Sequence, residues 1–235
     1  MSLRRDRIRC LSFDCYGTLI DWEAGLLASL KPVLAAHAID CPAERLLELF
    51  GRFETEIERG KFRPYREVLR AVLVSLGEVL GFHPRSGELE TFAEAVKEWS
   101  PFPDSTPALK ALSERFELII LSNVDDELFG PSQEKLGIRF DRVLTSQQLG
   151  SYKPDLQNFR ILIEKSGFEA REMLHVAQSL FHDIGPAKSL GLSTVWVNRR
   201  AGRKGGGATP ASEAVPDLTV PSMASLAENL LNDIA

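Results

Sequence analysis

The hydrophobic positions change period twice along the chain. Arg7 to Phe13 is a short, mostly apolar run that reads as a buried strand, and it runs into Asp14 and a turn marked by Gly17. From about residue 21 to 99 the spacing becomes helical. Leu26, Leu27, Leu30, Val33 and Leu34 recur over 23–36, and Leu46, Leu47, Leu49, Phe50, Phe53 and Ile57 follow Pro42. Val68, Leu69, Val72, Leu73 and Leu76 share one face of a third helix over 65–80. A fourth, over 89–99, carries Phe92, Ala93, Val96 and Trp99. These stripes predict a helical bundle inserted after the first strand, and they could serve as its core or as a homodimer surface.

Pro101-Phe102-Pro103 marks the second change, after which strands and helices alternate. Strands are predicted over 116–123, 140–145, 173–177 and 193–197, the last clear strand. Helices are predicted over 106–115, 126–136, 158–166 and 184–190, the last two stopping at Gly167 and Gly191. Such alternation with short connections implies right-handed crossovers, and so an α/β fold with a parallel, doubly wound sheet. The expected organisation is a core of residues 1–20 and 100–235 around a helical cap at 21–99. The stretch 199–210 holds Gly202, Gly205, Gly206 and Gly207 among basic residues. Without the flanking strand and helix of a phosphate-binding loop it reads as a mobile surface loop, placed where a lid or a substrate contact could form.

Composition narrows the functional classes. With 235 residues, 44% hydrophobic and 26% charged, the chain has the balance of a soluble globular protein. A net charge of −5 argues against a nucleic-acid surface, and no apolar run approaches a membrane span. The first seven residues are charged and lack the apolar segment of a signal peptide. Cys10, Cys15 and Cys41 have no metal-ligand spacing, and an odd number suits reduced thiols. A cytoplasmic protein is expected.

Candidate chemistry collects at strand ends. Asp14, Ser122 with Asn123, Lys153 and Asp183 each follow a predicted strand, and in a parallel sheet such positions converge on one edge. Each has a simpler role: a turn residue, a pair of helix caps, a solvated lysine, another cap. Their arrival at one end of one sheet predicts a single site. The turn after Asp14 can aim peptide N–H groups at an anion, and Thr18 adds a hydroxyl donor. Cys15 adjoins this substrate-contact set, but with no histidine near it and the opposite direction after the strand it reads as a small buried filler.

The run Phe13-Asp14-Cys15-Tyr16-Gly17-Thr18-Leu19-Ile20-Asp21, followed in order by Ser122, Lys153 and Asp183, resembles the haloacid dehalogenase superfamily. That resemblance implies a nucleophilic Asp14 and places 21–99 where the family inserts a helical cap. Superfamily phosphatases carry an acid two residues after the nucleophile, where this chain has Tyr16. Asp-x-Tyr-Gly-Thr-Leu, Leu121-Ser122-Asn123, Tyr152-Lys153-Pro154-Asp155 and Trp196-Val197-Asn198-Arg199 are similar to type II L-2-haloacid dehalogenases. The resemblance implies attack by Asp14 on a small 2-substituted carboxylic acid, an ester intermediate and its hydrolysis. Lys153 would offset the charge of the site and Asp183 would position water. Thr18, Ser122 and Asn123 would bind the substrate carboxylate or orient Asp14, with Cys15, Tyr16, Ser179 and His182 completing the contacts. No metal or other cofactor is implied. In the phosphatase alternative, Asp14, the Tyr16 carbonyl and Asp183 would hold Mg²⁺.

The chain departs from the dehalogenase pattern at Gln178-Ser179-Leu180-Phe181-His182-Asp183 and at Phe159, where a tyrosine is expected. Arg45 and Arg52 are candidates for the halide-side arginine of the cap. Phe13 to Glu23, Phe50 to Arg52, Gly150 to Pro154 and Ser179 to Asp183 also look like azetidine-2-carboxylate hydrolases, which displace nitrogen from carbon. There His182 would be an acid of suitable pKa for the leaving amine, although it can equally pack or cap locally.

Overall fold

The computed structural model describes residues 4–203 and 207–232. Its frame is a six-stranded, wholly parallel sheet. In chain order the strands are β1 (Cys10–Phe13), β2 (Glu117–Ser122), β3 (Arg142–Thr145), β4 (Met173–Ala177), β5 (Ser193–Val197) and β6 (Leu218–Val220). Their spatial order is β3-β2-β1-β4-β5-β6. The chain winds outward from β1 in one direction and restarts beside it with β4, so the switch point lies at the carboxyl ends of β1 and β4. Asp14 leaves β1 at that point, its N–H bonded to the Val176 carbonyl of β4 at 3.1 Å.

Alternation along the strands builds two layers. Leu11, Phe13, Leu118 and Ile120 face the large core shared with the insertion, whereas Cys10, Ile119 and Leu121 pack on the other face with Phe159, Leu162 and Met173. Both faces are covered, as a parallel sheet requires.

The helices are α1 (Trp22–Ala36), α2 (Ala43–Glu58), α3 (Tyr65–Leu80) and α4 (Ser86–Glu94) in the insertion. They continue with α5 (Ser105–Ser113), α6 (Asp126–Leu136), α7 (Ser146–Leu149), α8 (Leu156–Ser166), α9 (Gly185–Ser189) and α10 (Met223–Leu231) around the sheet. Asp21 caps α1 by accepting from the Ala24 N–H at 3.3 Å, and Gly81 ends α3 with φ +81°. The fourth predicted helix is shorter than its pattern: α4 stops at Glu94 and Ala95–Glu98 tightens into a 3₁₀ turn. Strand β6 is too short, at three residues, to register as a pattern, whereas helix α10, which the sequence reading lacks, does carry a helical stripe in Met223, Leu226, Ala227 and Leu230.

The apolar stripes of the insertion are turned inward. Val68, Leu69, Val72, Leu73 and Leu76 are buried in the same core as the sheet, which leaves little of them for a dimer surface. Among the described residues, no helix is long and apolar enough to cross a membrane.

The stretch after Arg199 is only in part the loose loop its glycines suggest. Lys204, Gly205 and Gly206 lie outside the described residues; Ala201, Gly202 and Arg203 before them are exposed as the sequence suggests, but the part that follows is packed. Ala208 is buried and its N–H donates to Glu23 at 3.2 Å, while Arg200 pairs with Glu23 and, at 2.9 Å, with Glu44. Helix α2 admits this segment through Gly51, where a Cβ would lie 2.1 Å from the Ala208 carbonyl oxygen.

Candidate active site

Three strand ends deliver one charge cluster. Lys153 Nζ donates to Asp14 Oδ1 at 2.9 Å, to Asp183 Oδ1 at 2.7 Å and to the Leu121 carbonyl at 3.0 Å. All three of its protons are thereby used, and the ammonium is 2% exposed. Burial alone would lower the Lys153 pKa, but Asp14 and Asp183 together drive it upward. Asp183 is held at about 2 against the effect of burial, by Lys153 and His175. Burial pushes Asp14 above its ordinary value, with Lys153 and Thr18 pulling it back.

The second oxygen of Asp14 is fixed by the turn. Thr18 Oγ1 donates to Asp14 Oδ2 at 2.7 Å and accepts from the Gln178 N–H at 2.9 Å. Thr18 thus orients Asp14, its one proton already committed. The turn itself is tied down by Arg199, whose guanidinium donates to the Thr18 carbonyl at 2.9 and 3.1 Å and to both Asp104 oxygens at 2.9 Å. Gly17 makes the bend with φ +95°, and a Cβ there would lie 2.8 Å from Trp22 Nε1.

Asn123 grips the backbone of Lys153 from both sides: its Nδ2 donates to the Lys153 carbonyl at 3.1 Å and its Oδ1 accepts the Lys153 N–H at 2.8 Å. Ser179 accepts from the His182 N–H at 2.9 Å and starts a turn of π-helix over Leu180–Ile184 that presents Asp183. Tyr16 hydroxyl bonds Ser132 at 3.0 Å and its ring packs edge-on against Trp99.

These groups face an inner pocket of about 50 Å³, which adjoins an outer recess of about 390 Å³ that shares Glu58, Lys153 and His182. Asp14, Tyr16, Ser122, Asn123, Lys153, Ser179, His182 and Asp183 all reach the inner pocket. Ser122 stands apart: its Oγ is buried without any hydrogen-bond partner. Cys15 does not reach the pocket. It is wholly buried, burial pushes its thiol well up, and its carbonyl serves the turn by accepting from Leu19 and Ile20 at 2.8 and 3.0 Å.

Several expectations are corrected here. Neither cap arginine enters the pocket: Arg45 pairs with Glu48 at 3.7 Å and Arg52 with Glu56 at 3.9 Å, both out in solvent. The insertion presents Glu54, Glu58 and Tyr65 instead. Burial also drives His182 down to about 4, so at neutral pH it is an uncharged imidazole and a poor proton donor. Among residues the sequence reading missed, His175 in β4 bonds Asp183 Oδ1 at 2.9 Å and Ser12 Oγ at 2.9 Å, entirely out of solvent. A histidine within an otherwise apolar parallel strand was the available signal. Thr209 reaches the pocket too, bonding Gln178 Oε1 at 3.1 Å.

The model of the haloacid dehalogenase-like hydrolases matches residues 8–191. The chain belongs to that family. Among its curated relatives, (S)-2-haloacid dehalogenase 4A of Burkholderia cepacia is 26% identical, the match covering 83% of this chain and 85% of that one. Ribulose-1,5-bisphosphate 5-phosphatase of Halopiger xanaduensis is 30% identical, over 78% and 82%. The fold superposes on that of the L-2-haloacid dehalogenase from Xanthobacter autotrophicus with chloropropionic acid covalently bound. There the TM-score is 0.79 and the identity 23%, with 97% of this chain and 100% of that one covered. This haloacid dehalogenase-like hydrolase therefore has relatives of two chemistries, and its own side chains must decide between them.

Proposed function

We propose that the chain displaces a substituent from C2 of a small carboxylic acid through an ester on Asp14. The observation that carries the reading is the Asp14 carboxylate, fixed on one oxygen by Thr18 and on the other by Lys153 at the wall of a small pocket. Asp14 attacks C2, and the leaving group departs from the opposite face with its electron pair. The substrate carboxylate takes the unused Ser122 hydroxyl. Water, held by Asp183, then attacks the Asp14 carbonyl and frees a 2-hydroxy acid. Lys153 carries the positive charge that keeps two buried carboxylates compatible, His175 positions Asp183 from outside the pocket, and Asn123 holds the backbone of Lys153 at the pocket wall. Residues 21–99 act as the cap that closes over the pocket. The setting is cytoplasmic, consistent with three free cysteines.

The phosphatase reading has relatives in its favour but not the side chains. Tyr16 replaces the acid that would protonate a leaving alcohol. Lys153 already bridges Asp14 and Asp183, and no three metal-ligating side chains converge among the described residues. The ester route asks for no metal, because Lys153 already supplies the positive charge between Asp14 and Asp183.

The test is a single turnover in ¹⁸O-labelled water. The label should enter Asp14 before it enters product, and Asp14→Asn should lower turnover by on the order of 10⁴-fold or more. Label appearing directly in the product, or an active Asp14→Asn, would end the reading.

A further inference from the structure

The wall that the insertion gives the inner pocket is acidic. Glu54 and Glu58 are spaced i, i+4 on the inward face of α2, and both line the inner pocket. Glu54 is 6% exposed. Their hydrogen-bond partners are neutral: Tyr65 OH donates to Glu54 Oε1 at 2.5 Å, and Asn123 Nδ2 to Glu58 Oε2 at 3.4 Å. Lys153 spends its protons on Asp14, Asp183 and the Leu121 carbonyl, and among the described residues no arginine lines the inner pocket, Arg59 lying in the outer recess. Glu54 is buried and Glu58 half-buried, neither is bonded to a cation, and two carboxyls so close favour holding a proton between them. Burial pushes Glu54 up to about 7, and burial together with the charge of Glu54 pushes Glu58 well up against the pull of Lys153 and Asn123.

A pocket with this wall is ill suited to a departing anion. Among the described residues, an anion leaving C2 toward α2 would meet two carboxyls, and the one cation lining the inner pocket, Lys153, is already held by Asp14 and Asp183. A nitrogen or oxygen, in contrast, would meet a proton. The unpartnered Ser122 hydroxyl on the core side marks where a ligand still has to bond. The small volume allows only a short substrate.

Resting on the Asp14 reading, we propose that Glu54 and Glu58 form the leaving-group subsite, one of them protonating the nitrogen or oxygen that departs from C2. Asp14 forms the C2–O bond as the C2–N or C2–O bond breaks. The electron pair goes to the departing heteroatom, which takes the proton of Glu54 or Glu58. In the second step water adds its oxygen to the Asp14 carbonyl. One water proton remains on the liberated 2-hydroxyl or its equivalent, and the other restores the glutamic acid. A heteroatom in a small ring stays attached after opening, so water is the only co-reactant.

The experiment compares three probes: azetidine-2-carboxylate, oxirane-2-carboxylate and 2-chloropropionate. Each is measured with the parent, Glu54→Gln, Glu58→Gln and Asp14→Asn, all first matched for folding by thermal melts. The parent should open a ring with higher kcat/KM than it releases chloride. In at least one glutamine variant the ratio of ring opening to chloride release should fall by roughly 10²-fold or more, the size of a lost general acid. The ring that responds identifies nitrogen or oxygen. A parent that favours chloride, or a ratio unchanged in both glutamine variants, overturns the subsite. An active Asp14→Asn would instead overturn the nucleophile itself, so the two failures are distinguishable.

Discussion

The two walls of the inner pocket are built to different rules. On the core side every charge has an opposite within 3 Å: Lys153 lies 2.9 Å from Asp14 and 2.7 Å from Asp183. On the inserted side Glu54 and Glu58 are acids with neutral partners. Balanced charge favours the ionised carboxylate, whereas unbalanced burial favours the protonated acid. The clearest contrast is Asp183, held at about 2, against Glu54, pushed up to about 7, with environment rather than residue type setting the two apart.

Lys153 tests the balanced wall most severely. Lys153→Met keeps the length of the side chain and leaves two buried carboxylates facing each other. Stability should fall by about 3–5 kcal/mol, the usual cost of stripping one partner from a buried ion pair, and turnover should be lost with it. Denaturant melts read the first effect. A loss below about 1 kcal/mol would mean that Asp14 and Asp183 are solvated or protonated, and the contrast between the walls would collapse.

The same contrast explains what was legible in the sequence. Asp14, Ser122, Lys153 and Asp183 sit at ends of apolar strands, and a parallel sheet brings strand ends together whatever their separation along the chain. The core wall could therefore be read before any coordinates. Glu54 and Glu58 lie in a helix with three other glutamates, and only the packing of α2 and the approach of Ala208 against Gly51 decide which of them turn inward. His175 was hidden for a different reason: an apolar strand reads as core, and a single polar residue within it does not disturb the pattern. The glycines after Arg199 point to a surface loop, which holds for the exposed 201–203 but not for Gly207 and Ala208, where Glu23 and the Gly51 notch take hold.

The acidic wall is sharpened by pH. Glu54 is faced by Glu58 on its own helix, by Tyr65 on α3, and across the pocket by Asp14, Lys153, His182 and Asp183. Near neutrality Lys153 stays charged, Asp183 ionised, His182 uncharged and Tyr65, pushed well up chiefly by burial, protonated. The groups left to titrate are Glu54 with its neighbour and, itself raised by burial, Asp14. Because the proton is the active form, kcat/KM for a ring substrate should fall about tenfold per pH unit above 7, and Glu54→Gln should abolish that limb. The acidic limb belongs to Asp14, which must ionise to attack. Stability moves in the same direction. The unfolded glutamate releases its proton near 4.5 and the folded one near 7, so between these values the folded state holds more protons and loses stability as pH rises. Thermal melts from pH 5 to 7.5 should slope downward more in the parent than in Glu54→Gln. Equal slopes would mean that the Glu54 proton is not held by burial.

Ser122 is the exception on the balanced wall. It is 2% exposed, yet its Oγ has no partner, whereas Asn123 beside it is fully engaged with Lys153. An unpaired buried hydroxyl has already lost its water without gaining a bond. Ser122→Ala should accordingly leave stability unchanged, or raise it by up to about 1 kcal/mol, where truncating a bonded serine would lower it. Activity should respond in the opposite sense. A hydroxyl bond to a substrate carboxylate is worth about 1.5–3 kcal/mol, so KM should rise roughly 10- to 100-fold while kcat changes less. A variant that loses stability and keeps its KM would show that Ser122 serves the fold, and the substrate carboxylate would then have to be sought at the peptide N–H groups of the Asp14 turn.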